Sequence, residues 1–218
     1  MPPCVLVLCG LPGGGKSTLS RRFAAHFCTY SVECFCYDDL FVDAAASSPD
    51  QPFRPDEWRA LRASVLEKLD QRLLALQDTT STQHILVLDD NMYYRSMRKR
   101  VFRLALQRQA SFGQVHVSTS IETCRRRNEQ RAMPVPPMVF DRMAALMEPP
   151  DATRFPWETH SIQVTLDSEH ESDAAIMRIC EFVDLIAQHP EWPRDTSAEE
   201  LEKATWTLAT IASLSTDE

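Results

Sequence analysis

A three-layer α/β fold around a mostly parallel, five-stranded sheet is what this 218-residue sequence predicts. Three observations carry that prediction. Short apolar runs alternate with helical patterns along most of the chain, the order expected when each strand is followed by a crossover helix. The first apolar run, Cys4–Cys9, passes into a glycine-rich turn and then a helix. A later run, Ile85–Leu88, ends in Asp89-Asp90-Asn91, so polar side chains gather where a strand finishes. Ligands of open parallel sheets bind beyond those strand ends.

The elements follow in order. Val5–Cys9 belongs to a continuous apolar run, as in a strand covered on both faces, and Lys16–Phe27 has the pattern of a helix. A second strand is expected at Val32–Tyr37, then a small, polar, proline-containing loop over 44–54 and a long helix at Pro55–Leu76. The strand Ile85–Leu88 is followed by the helix Tyr94–Gln109, the strand Gln114–Ser118 and the helix Ile121–Gln130. Met133–Pro137 breaks that helix, and proline suits the first turn of the next, Pro137–Met147. A fifth strand, Ile162–Leu166, and a packing helix, Asp173–Gln188, complete a domain spanning 1–188, with a lid at roughly 121–147. Residues 189–218 are expected to form a short helical tail, Ser197 and Glu200 having the spacing of a capping box.

Composition narrows the class. A hydrophobic fraction of 44% and a charged fraction of 25% are ordinary for a globular domain. No apolar run approaches the roughly 20 residues that span a bilayer, and the first strand lacks the flanks of a signal peptide. The seven cysteines show no C-x-x-C pair and no Cys/His ligand spacing. Cys4, Cys9, Cys34 and Cys36 fall in predicted strands, where they are expected to pack as small hydrophobes. A reducing, cytoplasmic setting is therefore expected. The net charge of −8 is unevenly spread: Arg95–Arg131 holds ten Lys/Arg against two acids, leaving −16 for the remainder. Such a basic segment is what a site for phosphates or an RNA backbone needs.

Gly10-Leu11-Pro12-Gly13-Gly14-Gly15-Lys16-Ser17 is a complete G-x-x-x-x-G-K-[ST] phosphate loop between a strand and a helix. Its glycines let backbone N–H groups turn inward around an anion, and the helix that Thr18 continues adds its positive end. Lys16 is expected at the β- and γ-phosphates of ATP and the Ser17 hydroxyl on Mg²⁺. The third strand supplies a second metal contact, Asp89, with Asp90 as alternate. After the second strand, Asp38 or its neighbour Asp39 is placed to take the proton of an attacking hydroxyl, Asp38 being preferred because it directly follows the strand. Arg127 and Arg131 lie four apart and so on one helical face, suited to clamping phosphoryl oxygens. Arg125 and Arg126 point elsewhere. No Asn-Lys-x-Asp guanine motif occurs.

Together GLPGGGKS, the Tyr37-Asp38-Asp39 step, LVLDDNMYYRSMRKRVFRLA, ETCRRRNEQR and the Trp157-Glu158 pair resemble the O-phosphoseryl-tRNA(Sec) kinase family over residues 4–166. The resemblance implies ATP on Gly10–Ser17, Mg²⁺ near Ser17 and Asp89, a catalytic aspartate at Asp38 or Asp39, and an R-x-x-x-R pair at Arg127 and Arg131. It implies phosphorylation of the serine carried by seryl-tRNA(Sec). Where the family carries a C-terminal helical domain that grips the tRNA, the stretch after Leu166 is acidic and shows no basic stripe: it is a minimal version of that domain, or the tRNA is held mainly by the Arg95–Arg131 face, or tRNA specificity has been lost. Two other functions stay open: a tRNA-responsive regulatory ATPase of an elongator-type system, and a small-metabolite kinase.

Overall fold

The computed structural model describes residues 2–26, 30–37, 55–77, 82–168 and 170–188. Five strands, β1 (Cys4–Gly10), β2 (Ser31–Cys36), β3 (His84–Asp89), β4 (Ser111–Val117) and β5 (Ser161–Val164), form one sheet in the order β2-β3-β1-β4-β5. Every pairing is parallel. The helices are α1 (Lys16–His26), α2 (Pro55–Leu76), α3 (Arg95–Gln107), α4 (Ile121–Glu129), α5 (Pro137–Ala145) and α6 (His170–Gln188).

Strand alternation explains why β1 and β3 read as unbroken apolar runs. Cys4, Leu6 and Leu8 of β1 and Ile85 and Val87 of β3 face a core closed by Leu19 and Phe23 of α1 and Ile179, Val183 and Ile186 of α6. The residues between them, Val5, Val7, Cys9, Leu86 and Leu88, face the opposite core, closed by Leu69 and Leu73 of α2 and Val101 and Phe102 of α3. Both faces being covered, no polar position is tolerated until the strands end. The core therefore runs up to the lip of the site.

Two sequence expectations change. Cys34 is exposed and Cys36 only half-buried, whereas Cys4 and Cys9 are fully buried. The reason is topological: β2 is an edge strand, and its faces are incompletely covered. The fourth strand begins at Ser111 rather than Gln114. Ser111 and Gly113 hide its start from a hydrophobicity pattern, yet a Cβ at Gly113 would stand 2.8 Å from both Phe182 and Ile186, so the small residue lets α6 close on the sheet. A short 3₁₀ turn, Pro156–Glu158, buries Trp157 against Phe102 and Phe112, ring centroids 5.3 and 6.4 Å away. Asp38, Asp39 and the tail 189–218 lie outside the described residues.

Candidate functional site

β1 ends at Gly10, and the chain turns through Leu11–Gly15 before α1 starts at Lys16. Gly13 has φ +76°, and a Cβ there would meet the Cys124 carbonyl oxygen at 2.2 Å. Gly15 has φ +96° and faces Leu166. Both positions need glycine for conformation, and Gly13 needs it for space as well. The loop is braced from outside: the Thr119 hydroxyl donates to Gly14 O at 2.9 Å, and Leu11 packs on Cys124 and Phe140. The N-terminus of α1 opens on a cavity of about 830 Å³, lined by Ser17, Thr18, Asp89, Asn91, Arg127 and Arg131 among others. That volume suits a nucleotide-sized ligand.

Lys16 is buried and crosses the loop. Its Nζ donates to Gly10 O at 3.1 Å, Leu11 O at 2.8 Å and Asn91 Oδ1 at 2.8 Å. The two aspartates at the end of β3 part company. Asp89, only 4% exposed, accepts from the Ser20 hydroxyl at 3.5 Å on the side of α1. Asp90 is ion-paired with Arg62 of α2, whose guanidinium also stands 5.8 Å over the Tyr37 ring. Burial, reinforced by the nearby Asp90 charge, pushes the Tyr37 hydroxyl well above the usual phenol range. Tyr37 is the residue immediately before Asp38.

Arg127 sits in the last turn of α4, donating to Leu166 O at 2.6 Å and Asp167 O at 3.3 Å. Arg131 lines the same cavity but from beyond the helix, which stops at Glu129. The expectation that both lie on one helical face is corrected. Asn128 ends the helix by using both halves of its buried amide on Val135, with Nδ2 to O at 2.8 Å and Oδ1 from N at 3.1 Å. This folds Met133–Pro137 into a tight return, and α5 then packs Phe140 on Leu11 and Cys124. Ser120 caps α4 and donates to Asp167 at 2.6 Å; that hydroxyl bond holds the Asp167 carboxyl below its usual range.

The basic segment is not one open face. Arg98 is fully buried, donating to Gln114 Oε1, Met92 O, Glu148 O and Glu158 Oε1 at 2.7–2.9 Å. Arg95 pairs with the same Glu158, Arg108 with Asp70, and Arg125 with Asp141 while lying over Phe140. At least four of the ten cations are thus engaged by carboxylates among the described residues, and the buried Arg98 is the one that cannot do without such a partner. The sequence pointed to neither the Lys16 contact of Asn91 nor the Asp90 contact of Arg62. Asn91 carried one signal, its place after the paired aspartates; Arg62 carried none among the charges of α2.

An all-parallel sheet in the order 2-3-1-4-5, with a glycine loop after the central strand and a carboxylate at the end of its neighbour, defines a phosphate-loop fold. The chain belongs to the KTI12 family, whose model, described as chromatin associated protein KTI12, matches residues 1–216. It is similar to the human L-seryl-tRNA(Sec) kinase, 29% identical over 72% of this chain and 59% of the human protein. The Methanococcus maripaludis L-seryl-tRNA(Sec) kinase is 19% identical over 82% of this chain and 65% of its own. The chain thus spans less than two thirds of the length of these relatives. Among solved structures it resembles Chaetomium thermophilum Kti12 in complex with ADP-AlF3, at TM-score 0.59 and 19% identity over 81% of this chain and 97% of that one. The Mycobacterium tuberculosis APS kinase complex gives TM-score 0.54 at 17% identity, over 84% and 98%. These likenesses fix the fold. Among the described residues no helix is long and apolar enough to cross a membrane.

Proposed function

We propose that this chain binds ATP with Mg²⁺ and transfers a phosphoryl group to the seryl hydroxyl of seryl-tRNA(Sec). The observation that carries the reading is the convergence of Lys16, Ser17 and Asp89 on one cavity at the ends of β1 and β3, in a chain similar to L-seryl-tRNA(Sec) kinases. The residues fit the groups the reading requires. Gly13 and Gly15 take the positive φ that lets loop N–H groups turn inward toward an anion, and Lys16 lines the same cavity. Among the described residues no cluster of three or more His, Cys, Asp or Glu could hold a metal. Mg²⁺ needs none, since it keeps several waters and takes one or two protein groups beside phosphate oxygens.

ATP supplies the phosphoryl group and Mg²⁺ spreads its charge; the remaining work falls to side chains. Lys16 exchanges an acceptor for phosphate oxygens, and Ser17 and Asp89 offer the metal a hydroxyl and a carboxylate. Arg127 and Arg131 face the cavity from the α4 side, where positive charge offsets charge on the transferring group. Arg127 is held by two carbonyl oxygens and so meets a ligand pre-oriented. Asp38 accepts the proton of the seryl hydroxyl.

Incubation with labelled ATP and either seryl-tRNA(Sec) or seryl-tRNA(Ser) tests this. Phosphoserine on the first alone is expected; equal labelling of both, or of neither, rejects the assignment. Because the family model over 1–216 is described as a chromatin associated protein and not as a kinase, a second reading stands, a regulatory ATPase that answers tRNA without modifying it. Its signature in the same assay is tRNA-stimulated phosphate release with no phosphoserine.

A further inference from the structure

Asn91 stands where the loop meets the neighbouring strand. Its side-chain carbonyl takes an N–H of Lys16 at 2.8 Å, and it is the acceptor for Lys16 that comes from outside the loop among those at Gly10, Leu11 and Asn91. The peptide on either side is fixed. Gly10 N donates to Asn91 O at 3.0 Å, which ties Asn91 to the first glycine of the loop. Met92 O receives Arg98 Nη1 at 2.9 Å, and Met92 itself is held at φ +43°, a left-handed conformation that a side chain such as methionine adopts only when its surroundings impose it. The amide nitrogen of Asn91 is turned to the Met143 sulfur of α5 at 4.0 Å, so the carbonyl half is the one presented to Lys16. A fully buried guanidinium, a strained residue and a loop glycine thus all serve to aim one neutral acceptor.

We propose that Asn91 is a positioning residue for Lys16: it holds the ammonium across the mouth of the loop and yields it to a phosphate oxygen when nucleotide enters. This deepens, and rests on, the reading of Gly10–Ser17 as a nucleotide loop. The chemistry explains the residue type. A neutral amide gives a hydrogen bond strong enough to orient an ammonium, yet one that a triphosphate displaces easily; a carboxylate at the same place would hold the lysine and repel the incoming phosphates. Arg98 acts one step further back, through Met92 O.

The test is competitive acylation of the full-length, nucleotide-free protein with acetic anhydride, reading Lys16 against exposed Lys68 by mass spectrometry, beside ATP binding by calorimetry. In Asn91→Ala, Lys16 is expected to react at least threefold faster relative to Lys68. In Asn91→Asp it should react at least threefold more slowly, and ATP should bind at least tenfold more weakly. A Lys16 ratio unchanged in Asn91→Ala overturns the proposal, as does Asn91→Asp that binds ATP like the wild type. Protection of wild-type Lys16 by ATP is scored separately: its absence overturns the nucleotide reading itself, while the acylation ratios still decide whether Asn91 orients the lysine. Thermal midpoints of both variants accompany the assay, and the Asp variant keeps the shape of the side chain, so a folding defect in one leaves the other decisive.

Discussion

Two charged centres lie on either side of Met92, and they use charge in opposite ways. On one side Lys16, Asp89 and Arg127 border an open cavity, and the acceptors Lys16 finds at Gly10, Leu11 and Asn91 are all uncharged. On the other side Arg98 and Glu158 are both 0% exposed, and Arg98 reaches four protein acceptors, one of them a carboxylate. The second centre is complete without a ligand. It joins α3, β4 and the 148–158 segment, and so builds the wall against which the first centre is set. The acceptors at Gly10, Leu11 and Asn91 are neutral groups that a phosphate oxygen can displace. Arg98, enclosed with its carboxylate, serves the fold.

Lys16 separates the two centres most directly. Lys16→Ala should lower turnover by roughly three orders of magnitude or more, in line with loss of a charge aimed at a developing anion, while the thermal midpoint stays close to wild type. Steady-state kinetics and differential scanning calorimetry on the same sample check both halves. Glu158→Gln should do the reverse. Leaving Arg98 buried without its carboxylate costs about 3–5 kcal/mol of stability, read as a lower urea midpoint, and the protein still folded should bind ATP normally. A stable but inactive Glu158→Gln protein would mean that the buried pair belongs to the chemistry. Arg127→Ala lies between them: turnover should fall roughly tenfold with less change in ATP affinity, as for a contact that strengthens in the transition state. Loss of affinity at unchanged turnover would reject that role.

The distinction between the two centres was only half legible in the sequence. The phosphate loop could be read because its spacing encodes backbone conformation, and Gly13 and Gly15 do take positive φ. Strands β1 and β3 were legible because burial on both faces forces an apolar run. The fate of the arginines was not. Arg98 and Arg127 look alike in the chain, and what separates them is the position of Glu158, 60 residues beyond Arg98, against the carbonyls of Leu166 and Asp167. A one-dimensional charge count registers neither. The helical spacing of Arg127 and Arg131 misled for a local reason: Asn128 spends its amide on Val135 and ends the helix between them. Asn91 was in view, but an amide beside two carboxylates gives no sign of which cation it meets.

A weaker charge pair lies outside both centres. Asp70 and Arg108 form a bidentate pair at 2.6 and 2.8 Å between α2 and the end of α3, with 30% and 23% of their side chains exposed. The Arg108 hydrogen bond holds the Asp70 carboxyl below its ordinary 3.8. A carboxylate with a depressed folded-state pKa contributes stability that is fully present above the unfolded value and is lost as pH falls through the folded one. Asp70→Asn should therefore lower the urea midpoint slightly at neutral pH. That difference should close as pH drops below the ordinary carboxylate range, and it should shrink in high salt because the pair is partly solvated. Urea titrations of both proteins at neutral and acid pH measure it. A gap that persists unchanged at low pH would show that the asparagine disturbs packing between α2 and α3 instead. The Asp70–Arg108 ion pair would then add nothing measurable of its own at this surface, in contrast to the enclosed pair at Arg98.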